Sequence, residues 1–418
     1  MSDWKETELG LIPNEWEIQN SSIYCTKITD GTHDSPKQVF SGYPLITSKH
    51  IKGNSIDFEE AYLISQEDYE AIVKRSKVDQ YDLIISMIGE YCGFTYLETS
   101  QQVNYATKNV GLFKNKSKTH ALWLKYYLDS PIGKHQLRLR RSGTSQPYIS
   151  LGSLRSLPIL NPKSDITRQS IVNILSCLDA KIENLRRQNE TLEQIAQTLF
   201  KHWFIDFEFP NADGKPYKSS GGAMVASELG DIPEGWKVGK LGNEFEILMG
   251  QSPSGSSFNE DKQGMIFFQG RTDFGFRFPT IRLYTTEPSR IAEKFDVLVS
   301  VRAPVGDVNL ASDKCCIGRG LAAVKSQYKS YCLHKIKSFK KLFNLFESEG
   351  TVFGSINKQS FNSLESIIPT DKVIKDFEAL VKTIDQKFYV NDLQIQTLTK
   401  TRDSLLPKLM SGQLRVKE

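Results

Sequence analysis

The chain has 418 residues, of which 39% are hydrophobic and 24% charged, and its formal net charge is +4. This length accommodates two or three domains, and the composition is that of a globular protein. Because it has no run of 18 apolar residues and no signal peptide, we expect a cytoplasmic protein without a membrane span. The six cysteines include no C-x-x-C pair, which argues against a disulfide framework or a zinc site.

An early polar loop, residues 30–36, contains His33 next to Asp34 and Ser35. These residue types also form hydrolase triads, but adjacent residues cannot adopt the geometry of a triad. The loop is therefore not predicted to be catalytic.

Short apolar runs rich in β-branched residues predict strands at 83–87 and 157–160. An amphipathic helix is predicted near 121–139, ending before Gly143. Residues 108–141 carry nine Lys or Arg and a single acid, Asp129. Such a run is typical of a surface that meets phosphate, and a solvated helix face is the alternative.

A heptad pattern of apolar residues follows, with steps that alternate between four and three. Its core positions are Ile171, Leu175, Leu178, Ile182, Leu185, Asn189, Leu192, Ala196, Leu199 and Trp203. A helix of this extent is roughly 50 Å long, and one turn of B-DNA measures about 34–36 Å. Such helices can hold two domains about one turn apart on a duplex, although an accidental apolar stripe gives the same pattern.

After a Gly-, Pro- and Ser-rich stretch predicted to be a linker (206–226), the sequence repeats itself. Residues 8–16 return at 228–236, residues 81–86 at 295–300, and Gly143-Thr144 at Gly350-Thr351. The second copy predicts strands at 297–301 and 320–324 and a helix near 330–346. A whole domain is therefore duplicated.

The second copy also has a basic run, eight Lys or Arg and no acid in residues 314–341. Arg302 lies between a predicted strand and a Pro/Gly turn, where it can contact a guanine or form a structural ion pair. A second heptad pattern ends the chain, 206 residues after the first. Its core positions are Phe377, Val381, Ile384, Phe388, Asn391, Ile395, Leu398, Arg402, Leu405 and Leu409.

Several common catalytic motifs are missing from the sequence. It contains no G-x-x-x-x-G-K-[ST] loop, no G-x-G-x-x-G after a strand, no Pro-Pro of an amino-methyltransferase site and no metal-ligand cluster among its six histidines. We therefore predict a chain without an active site or a metal of its own.

The repeats, heptads and motifs together resemble the specificity (S) subunit of a type I restriction–modification enzyme over essentially the full length. The motifs that carry the resemblance are Asp30-Gly31-Thr32-His33 with Ser35-Pro36, Arg302-Ala303-Pro304-Val305-Gly306 with Gly318-Arg319-Gly320-Leu321, Leu199-Phe200 with Trp203-Phe204-Ile205-Asp206-Phe207, and Leu405-Leu406-Pro407-Lys408-Leu409-Met410-Ser411-Gly412.

The resemblance implies an α/β (α+β) chain with two similar mixed target-recognition domains, separated by two long helices that form an antiparallel coiled coil. The predicted divisions are 1–165, recognition domain 1; 166–207, central helix; 208–370, recognition domain 2; and 371–418, distal helix. Each domain would recognise half of a split site in double-stranded DNA.

The resemblance also implies that the helices set the spacing and dock two methyltransferase (M) subunits, with restriction (R) subunits joining the complex. S-adenosylmethionine, ATP and Mg would belong to those partners, whose complex is a site-specific deoxyribonuclease and adenine methyltransferase. For the helices, the predicted spacer and docking residues are Leu178, Ile182, Leu185, Asn189, Leu192, Leu199, Trp203, Ile384, Phe388, Asn391, Leu398, Leu405 and Leu409.

The recognition loops of this family vary, so the DNA-contacting residues are predicted from this sequence itself. They are Thr32, His33, Ser35, Lys108, Lys134, Arg138, Arg140, Arg141, Thr144, Ser145, Gln146, Arg271, Arg302, Lys314, Arg319, Lys337 and Thr351.

Three other interpretations stay open. The chain can be an enzyme with unfamiliar motifs, which bound adenosylmethionine or metal would reveal. It can be a coiled-coil scaffold without DNA contact, in which alanine at Arg138, Arg140 and Arg141 has no effect. It can also be an orphan family member that no longer recognises a specific sequence.

Overall fold

The computed structural model describes residues 3–348 and 354–416. Contacts between residues divide the chain into two compact units, residues 1–184 with 394–418 and residues 185–393. Each unit combines a mixed domain with parts of two 40-residue helices, Asp165–Phe204 and Asp371–Met410. The predicted fold class is confirmed.

The first unit contains the first eleven strands and five shorter helices before the central helix. In chain order these are β1 (Trp4–Thr7), β2 (Gly10–Pro13), β3 (Trp16–Asn20), α1 (Ser21–Tyr24), β4 (Lys27–Asp30), β5 (Tyr43–Thr47), β6 (Leu63–Ile64), α2 (Gln66–Ser76), β7 (Leu83–Ser86), β8 (Thr95–Leu97), β9 (Ala106–Lys108), β10 (Val110–Lys114), α3 (Lys118–Asp129), α4 (Pro131–Leu139), α5 (Leu151–Arg155), β11 (Pro158–Pro162) and α6 (Asp165–Phe204).

After α6, the described part of the chain continues with thirteen strands and the remaining helices. They are β12 (Met224–Ser227), β13 (Gly230–Pro233), β14 (Lys237–Lys240), α7 (Leu241–Glu244), β15 (Glu246–Met249), β16 (Phe258–Asn259), β17 (Met265–Phe268), β18 (Leu283–Thr285), β19 (Ile291–Ala292), β20 (Val297–Ser300), β21 (Val308–Leu310), β22 (Cys315–Ile317), β23 (Leu321–Lys325), α8 (Lys329–Ser338), α9 (Lys340–Ser348), α10 (Lys358–Asn362), β24 (Glu365–Ile368) and α11 (Asp371–Met410).

The two domains share the topology of their four-stranded sheet, whereas the second sheet has three strands in the first unit and five in the second. A four-stranded sheet has the order β4-β10-β7-β8 in the first unit and β15-β23-β20-β21 in the second. A second sheet in each unit contains one parallel pair, β5 with β9 or β17 with β22. The sequence repeat is therefore a repeat of the fold.

The equivalence extends to single backbone conformations. Tyr81 and Phe295, which precede the central strands β7 and β20, both have positive φ, 68° and 66°. Two residues before each, a backbone N–H donates to the carboxylate of Asp82 (2.6 Å) or Asp296 (2.8 Å). Because few non-glycine residues adopt positive φ, a shared instance marks the same turn in both copies.

The helix predicted near 121–139 is two helices. Ser130 has an extended backbone (φ −70°, ψ 160°), and its hydroxyl accepts a bond from the N–H of Gly133 at the start of α4. Pro131 is the first residue of α4, a position where its missing N–H costs nothing. The second copy divides as well, at Phe339 between α8 and α9.

The heptad cores are confirmed by burial, since every predicted position is buried or half-buried. In the first unit, Ile171 and Leu175 of α6 share a core with Leu409 of α11. In the second unit, Ala196 shares a core with Phe377. The start of α6 thus packs with the end of α11, as an antiparallel coiled coil requires.

The segment predicted to be a linker is packed against the second domain. Phe207 and Phe209 are buried against Trp236, and Tyr217 stacks on Phe209 with 4.5 Å between ring centroids. The glycines and prolines that suggested a flexible connection form tight turns around these aromatic rings.

Among the described residues, no helix is long and apolar enough to cross a membrane.

Candidate nucleic-acid interface

The first polar loop of domain 1 is joined to the turn between β9 and β10. The N–H of Thr32 donates to the carbonyl of Thr107 (2.9 Å), and the N–H of Asn109 donates to the carbonyl of Thr32 (3.2 Å). A Cβ on Gly31 would lie 2.3 Å from the oxygen of Thr107, so only glycine fits here. The sequence motif that begins at Asp30 therefore specifies this backbone contact.

Ser48 connects this pair of turns to the loop after the central strand. It begins a short 3-10 helix, Ser48–His50, and its hydroxyl donates to the carbonyl of Asn109 (2.7 Å). The same oxygen accepts bonds from the N–H groups of Met87 (3.1 Å) and Ile88 (3.3 Å). One buried hydroxyl thus holds three loops together.

A fifth loop, residues 140–148, completes the surface. The N–H of Gly89 donates to the carbonyl of Pro147, and the N–H of Ile149 donates to that of Met87, both at 2.9 Å. The guanidinium of Arg141 donates to the carbonyl of Cys92. Loop cluster 1 consists of residues 31–35, 48–52, 87–94, 107–110 and 140–148.

Domain 2 repeats this backbone framework. The N–H of Gln251 donates to the carbonyl of Ile317 (3.0 Å), as Thr32 does to Thr107. The N–H of Ala303 donates to the carbonyl of Gly354 (3.0 Å), and that of Ile356 to Val301 (3.1 Å). Loop cluster 2 is residues 250–253, 270–273, 301–307, 318–320 and 354–356.

The two clusters present different side chains on this shared frame. Arg302 is exposed where domain 1 has Ile88, and both residues form the corresponding isolated bridge, with Ser355 or Tyr148. Arg319 is exposed in the turn that corresponds to Asn109. No ion pair is formed by either arginine with the residues described.

Arg271 also belongs to loop cluster 2, where it forms an ion pair with Asp307. Lys340 contacts the other oxygen of that carboxylate at 2.7 Å. Burial opposes the ionisation of Asp307, but Lys340 and Arg271 lower the pKa of this carboxyl below its ordinary value. The group is therefore an anion that neutralises part of the local positive charge.

In loop cluster 1 the predicted contact residues are held by a polar network. His33 bonds Asp30 through Nε2 and Asn109 through Nδ1, both at 3.0 Å. The buried carboxylate of Asp30 also accepts a bond from Arg75 (2.6 Å). The ammonium of Lys108 donates to the hydroxyl of Ser35.

Lys52 and Tyr91 of loop cluster 1 were not predicted from the sequence. The ammonium of Lys52 lies 4.4 Å from the centroid of the Tyr91 ring and 3.3 Å from its hydroxyl. This hydrogen bond to Tyr91 raises the pKa of Lys52, so the exposed side chain stays a cation. They are 39 residues apart in sequence and neither lies in a basic run, so no sequence signal relates them.

The structure brings twelve of the seventeen predicted contact residues into the two clusters. Those within them are Thr32, His33, Ser35, Lys108, Arg140, Arg141, Thr144, Ser145, Gln146, Arg271, Arg302 and Arg319. Lys134 and Arg138 lie on the exposed face of α4, and Lys314 pairs with Glu293 (2.8 Å). Thr351, like Gly350, lies outside the described residues.

The basic runs do not form one continuous surface. Lys114 is bound by Asp79 and Asp82, and Lys329 by Asp296. Arg140 is also turned inward, towards the side chain of Gln136 (2.8 Å). The acids that neutralise Lys114 and Lys329 are remote in sequence, which is why the runs looked uncompensated.

Lys337 is the clearest departure from the predicted interface. Its ammonium lies 2.5 Å from the carboxylate of Glu193 on α6, and its side chain is largely buried. Burial has the largest effect on the pKa of this ammonium and lowers it, whereas Glu193 has the next largest effect and raises it. Lys337 is therefore not part of loop cluster 2.

Both clusters offer exposed hydrogen-bond donors, cations and Gly-containing loops. These groups suit contacts with phosphate oxygens and with the edges of bases. Within residues 3–348 and 354–416, no group of three His, Cys, Asp or Glu is placed to hold a metal ion.

Comparisons with known proteins give a consistent result. The profile of the family described as "Type I restriction modification DNA specificity domain" matches residues 29–194 and 233–395. A protein described as the MjaX type I restriction enzyme specificity subunit of Methanocaldococcus jannaschii is 30% identical over 99% of this chain and 97% of its own length. The MjaIX specificity subunit of the same organism is 26% identical over 100% and 98%.

Among solved structures, the type I restriction–modification S subunit from M. genitalium aligns with 94% of this chain and 96% of its own. The TM-score is 0.60 at 14% sequence identity, which indicates a shared fold.

Proposed function

Because the chain belongs to the family of type I restriction–modification DNA specificity subunits, which recognise DNA sequence within the complex, we propose that its two domains recognise two half-sites. Domain 1 (1–165) contacts one half-site through loop cluster 1, and domain 2 (208–370) contacts the other through loop cluster 2. The observation that carries this proposal is one backbone framework presented twice with different exposed side chains.

The difference between the clusters supports two distinct half-site sequences. Arg302 and Arg319 are suited to the acceptor pair of guanine in the major groove. Thr144, Ser145 and Gln146 offer shorter hydroxyl and amide groups in domain 1. Lys134 and Arg138, exposed on α4, are placed to contact phosphates and add affinity without sequence preference.

The helices α6 and α11 are proposed to act as a spacer and as the docking surface for two M subunits. Burial of the heptad cores supports the spacer role, since these residues hold the helices together. Docking would then use the apolar residues that α6 and α11 leave exposed. They are Ile166, Ile174, Ile195, Leu380, Val390 and Leu393.

The chain is proposed to be a non-catalytic, cytoplasmic subunit. In the assembled complex, S-adenosylmethionine, ATP and Mg would be bound by the M and R subunits, which carry out methylation and cleavage. The missing catalytic motifs of this sequence are in keeping with that division.

The test is a selection of bound duplexes from a random pool, using the full chain co-expressed with the M subunit of its system. We expect a two-part consensus with one fixed gap. Capture without any consensus would mean that the loop clusters bind only phosphate. Failure of the folded complex to capture DNA would instead favour a coiled-coil scaffold.

A further inference from the structure

One segment of domain 2, Gly275–Phe278, inserts a charged side chain between domain 2 and the two long helices. It is held to β21 by two bonds between the side chain of Asn309 and the backbone of Gly275, both at 3.0 Å. The N–H of Leu310 also donates to the carbonyl of Arg277 (2.8 Å). The backbone that carries Arg277 is thus fixed on the sheet.

The Arg277 side chain is 1% exposed and contacts both helices. Its guanidinium lies 2.9 Å from the carboxylate of Glu193 on α6 and 2.6 Å from that of Asp385 on α11. It also lies 4.4 Å from the centroid of the Phe388 ring, a cation–π distance. One planar side chain therefore joins the domain to α6 and α11 together.

The same carboxylate of Glu193 is contacted by a second part of domain 2, Lys337 of α8. Burial works against its ionisation, but Arg277 and Lys337 lower the pKa of Glu193 to about 2. Glu193 is therefore ionised under ordinary conditions, and Arg277 and Lys337 balance its buried negative charge.

On α11, Asp385 is the last of three acids at seven-residue intervals that receive bonds from domain 2. Asp371 accepts from the hydroxyl of Tyr328 (2.7 Å), and Glu378 accepts from the N–H groups of Ser330 (3.2 Å) and Tyr331 (3.0 Å). A seven-residue interval returns to the same helix face. The three acids on this face therefore fix the position of domain 2 along α11.

A buried charge makes this register strict. Rotating or sliding either helix past the domain would separate Arg277 from a carboxylate and leave a charge in an apolar environment. Apolar contacts alone would tolerate small rotations or shifts of a helix, because they are not directional. A buried ionic contact therefore selects one arrangement of domain 2 on the helices.

We propose that Arg277 is a positioning residue for DNA recognition, which fixes the orientation of domain 2 on α6 and α11 and so restricts the complex to one gap between half-sites. This inference rests on the proposed function. Arg277 itself need not touch DNA.

Domain 1 is attached differently, which makes Arg277 specific to the second half-site. Asp179 stands 206 residues before Asp385, and it is met by the hydroxyl of Tyr126 (2.7 Å) and by Arg402 of α11 (2.9 Å). The position 206 residues after Glu193 is Thr399, which has no charge. The two-carboxylate arrangement is thus confined to domain 2.

The experiment is the same random-pool selection, scored by the distribution of gap lengths, with Arg277→Met in the full chain and its M subunit. We expect duplexes with a gap one base pair longer or shorter to rise on the order of tenfold relative to the wild type, equivalent to about 1.4 kcal/mol of lost discrimination. Arg277→Lys retains the charge without the two-ended fork and should recover the original distribution only in part. Lys372→Met, which removes an exposed ion pair with Asp376 on the same helix, should change nothing.

A purely structural role would lower the yield of folded complex and leave the gap unchanged. A folded Arg277→Met complex that retains the wild-type gap distribution overturns the inference. If that variant does not fold, Asp385→Asn decides in its place, because Arg277 keeps Glu193 as a partner. A wild-type complex without a two-part consensus would refute the proposed function and, with it, this inference.

Discussion

At the scale of single residues, many charged side chains of this protein form ion pairs with other residues of the same chain. Lys114, Lys329 and Lys337 each lie against a carboxylate that comes from a distant part of the chain. Arg302 and Arg319 differ from them, since both are exposed on loop cluster 2 and form no ion pair with residues that the structure describes. The two arginines are therefore the best candidates for base contacts in domain 2.

Replacing Arg302 by alanine should weaken binding to the selected site by about 1–3 kcal/mol and relax the preference at one base position. The reason is the loss of a two-pronged donor, since alanine has no side-chain hydrogen-bonding group. Competition binding with single-base variants of the selected duplex measures the effect. Lys372→Ala, on the exposed face of α11, is the control, and an equal loss for every sequence would show that Arg302 contacts phosphate.

His334 provides a pH-dependent prediction. It is buried beside the rings of Phe200 and Phe377, and burial lowers its pKa from 6.5 to about 4. Asp385 raises this pKa and Arg277 lowers it, both by less than burial does. The unfolded chain therefore gains a proton that the folded chain does not accept. The stability from neutral His334 is complete above pH 6.5 and is lost as the pH falls towards 4.

The corresponding loss of unfolding free energy is about 3 kcal/mol between pH 7 and pH 4. Denaturant unfolding at several pH values should show this slope, and His334→Leu should flatten it. His135→Leu, at an exposed position of α4, should leave the slope as it is. Equal slopes in the wild type and His334→Leu would contradict the assignment.

At the scale of elements, every core position of the two heptad patterns is buried or half-buried, and the two asparagines among them pair with each other. The amide of Asn391 donates to the side-chain oxygen of Asn189 (3.0 Å), with both residues buried. Polar pairs of this kind define the register of a coiled coil at a cost in stability. Both asparagines were recognisable from sequence as exceptions within an apolar repeat.

Asn391→Leu alone should lower the free energy of unfolding by about 1–3 kcal/mol, because the oxygen of Asn189 loses its donor. Asn189→Leu together with Asn391→Leu should recover most of that loss, since no buried polar group is then left unpaired. Thermal or denaturant unfolding of the two single variants and the double variant measures the coupling, with the exposed Asn184→Leu as control. Additive losses in the double variant would show that the pair does not act as a unit.

At the scale of the whole molecule, duplication is the organising feature. Each domain presents equivalent loops on equivalent sheets, and each uses part of both α6 and α11 for its core. A change in the helices should therefore alter the DNA gap without altering the two half-site sequences.

Deleting one heptad from α6 and the facing heptad from α11 shortens each helix by about 10 Å. At about 3.4 Å per base pair, the preferred gap should become roughly three base pairs shorter. Selection from the random pool gives the new gap directly, and deletion of the heptad from one helix only serves as the mismatched control. The spacer proposal fails if the paired deletion binds DNA with the original gap.

The sequence by itself determined the duplication, the mixed α and β domains, the two heptad helices and the motif that closes loop cluster 1. These features depend on patterns that are local or exactly repeated, such as the apolar period of a helix or a glycine that a close backbone approach requires. The helix break at Pro131 was also visible in the sequence, but the amphipathic pattern on both sides of it hid the interruption.

Only the tertiary structure decided which cations face solvent. Lys52 and Tyr91 meet because two loops converge on the same end of domain 1, whereas Lys337 turns inward because Glu193 lies opposite it, 144 residues earlier in the chain. Arg277, which the sequence did not single out, became the most constrained charge in domain 2. The physical reason is that a charge acts through its distance from other charges in space, and residue spacing along the chain fixes that distance only within one helix or turn.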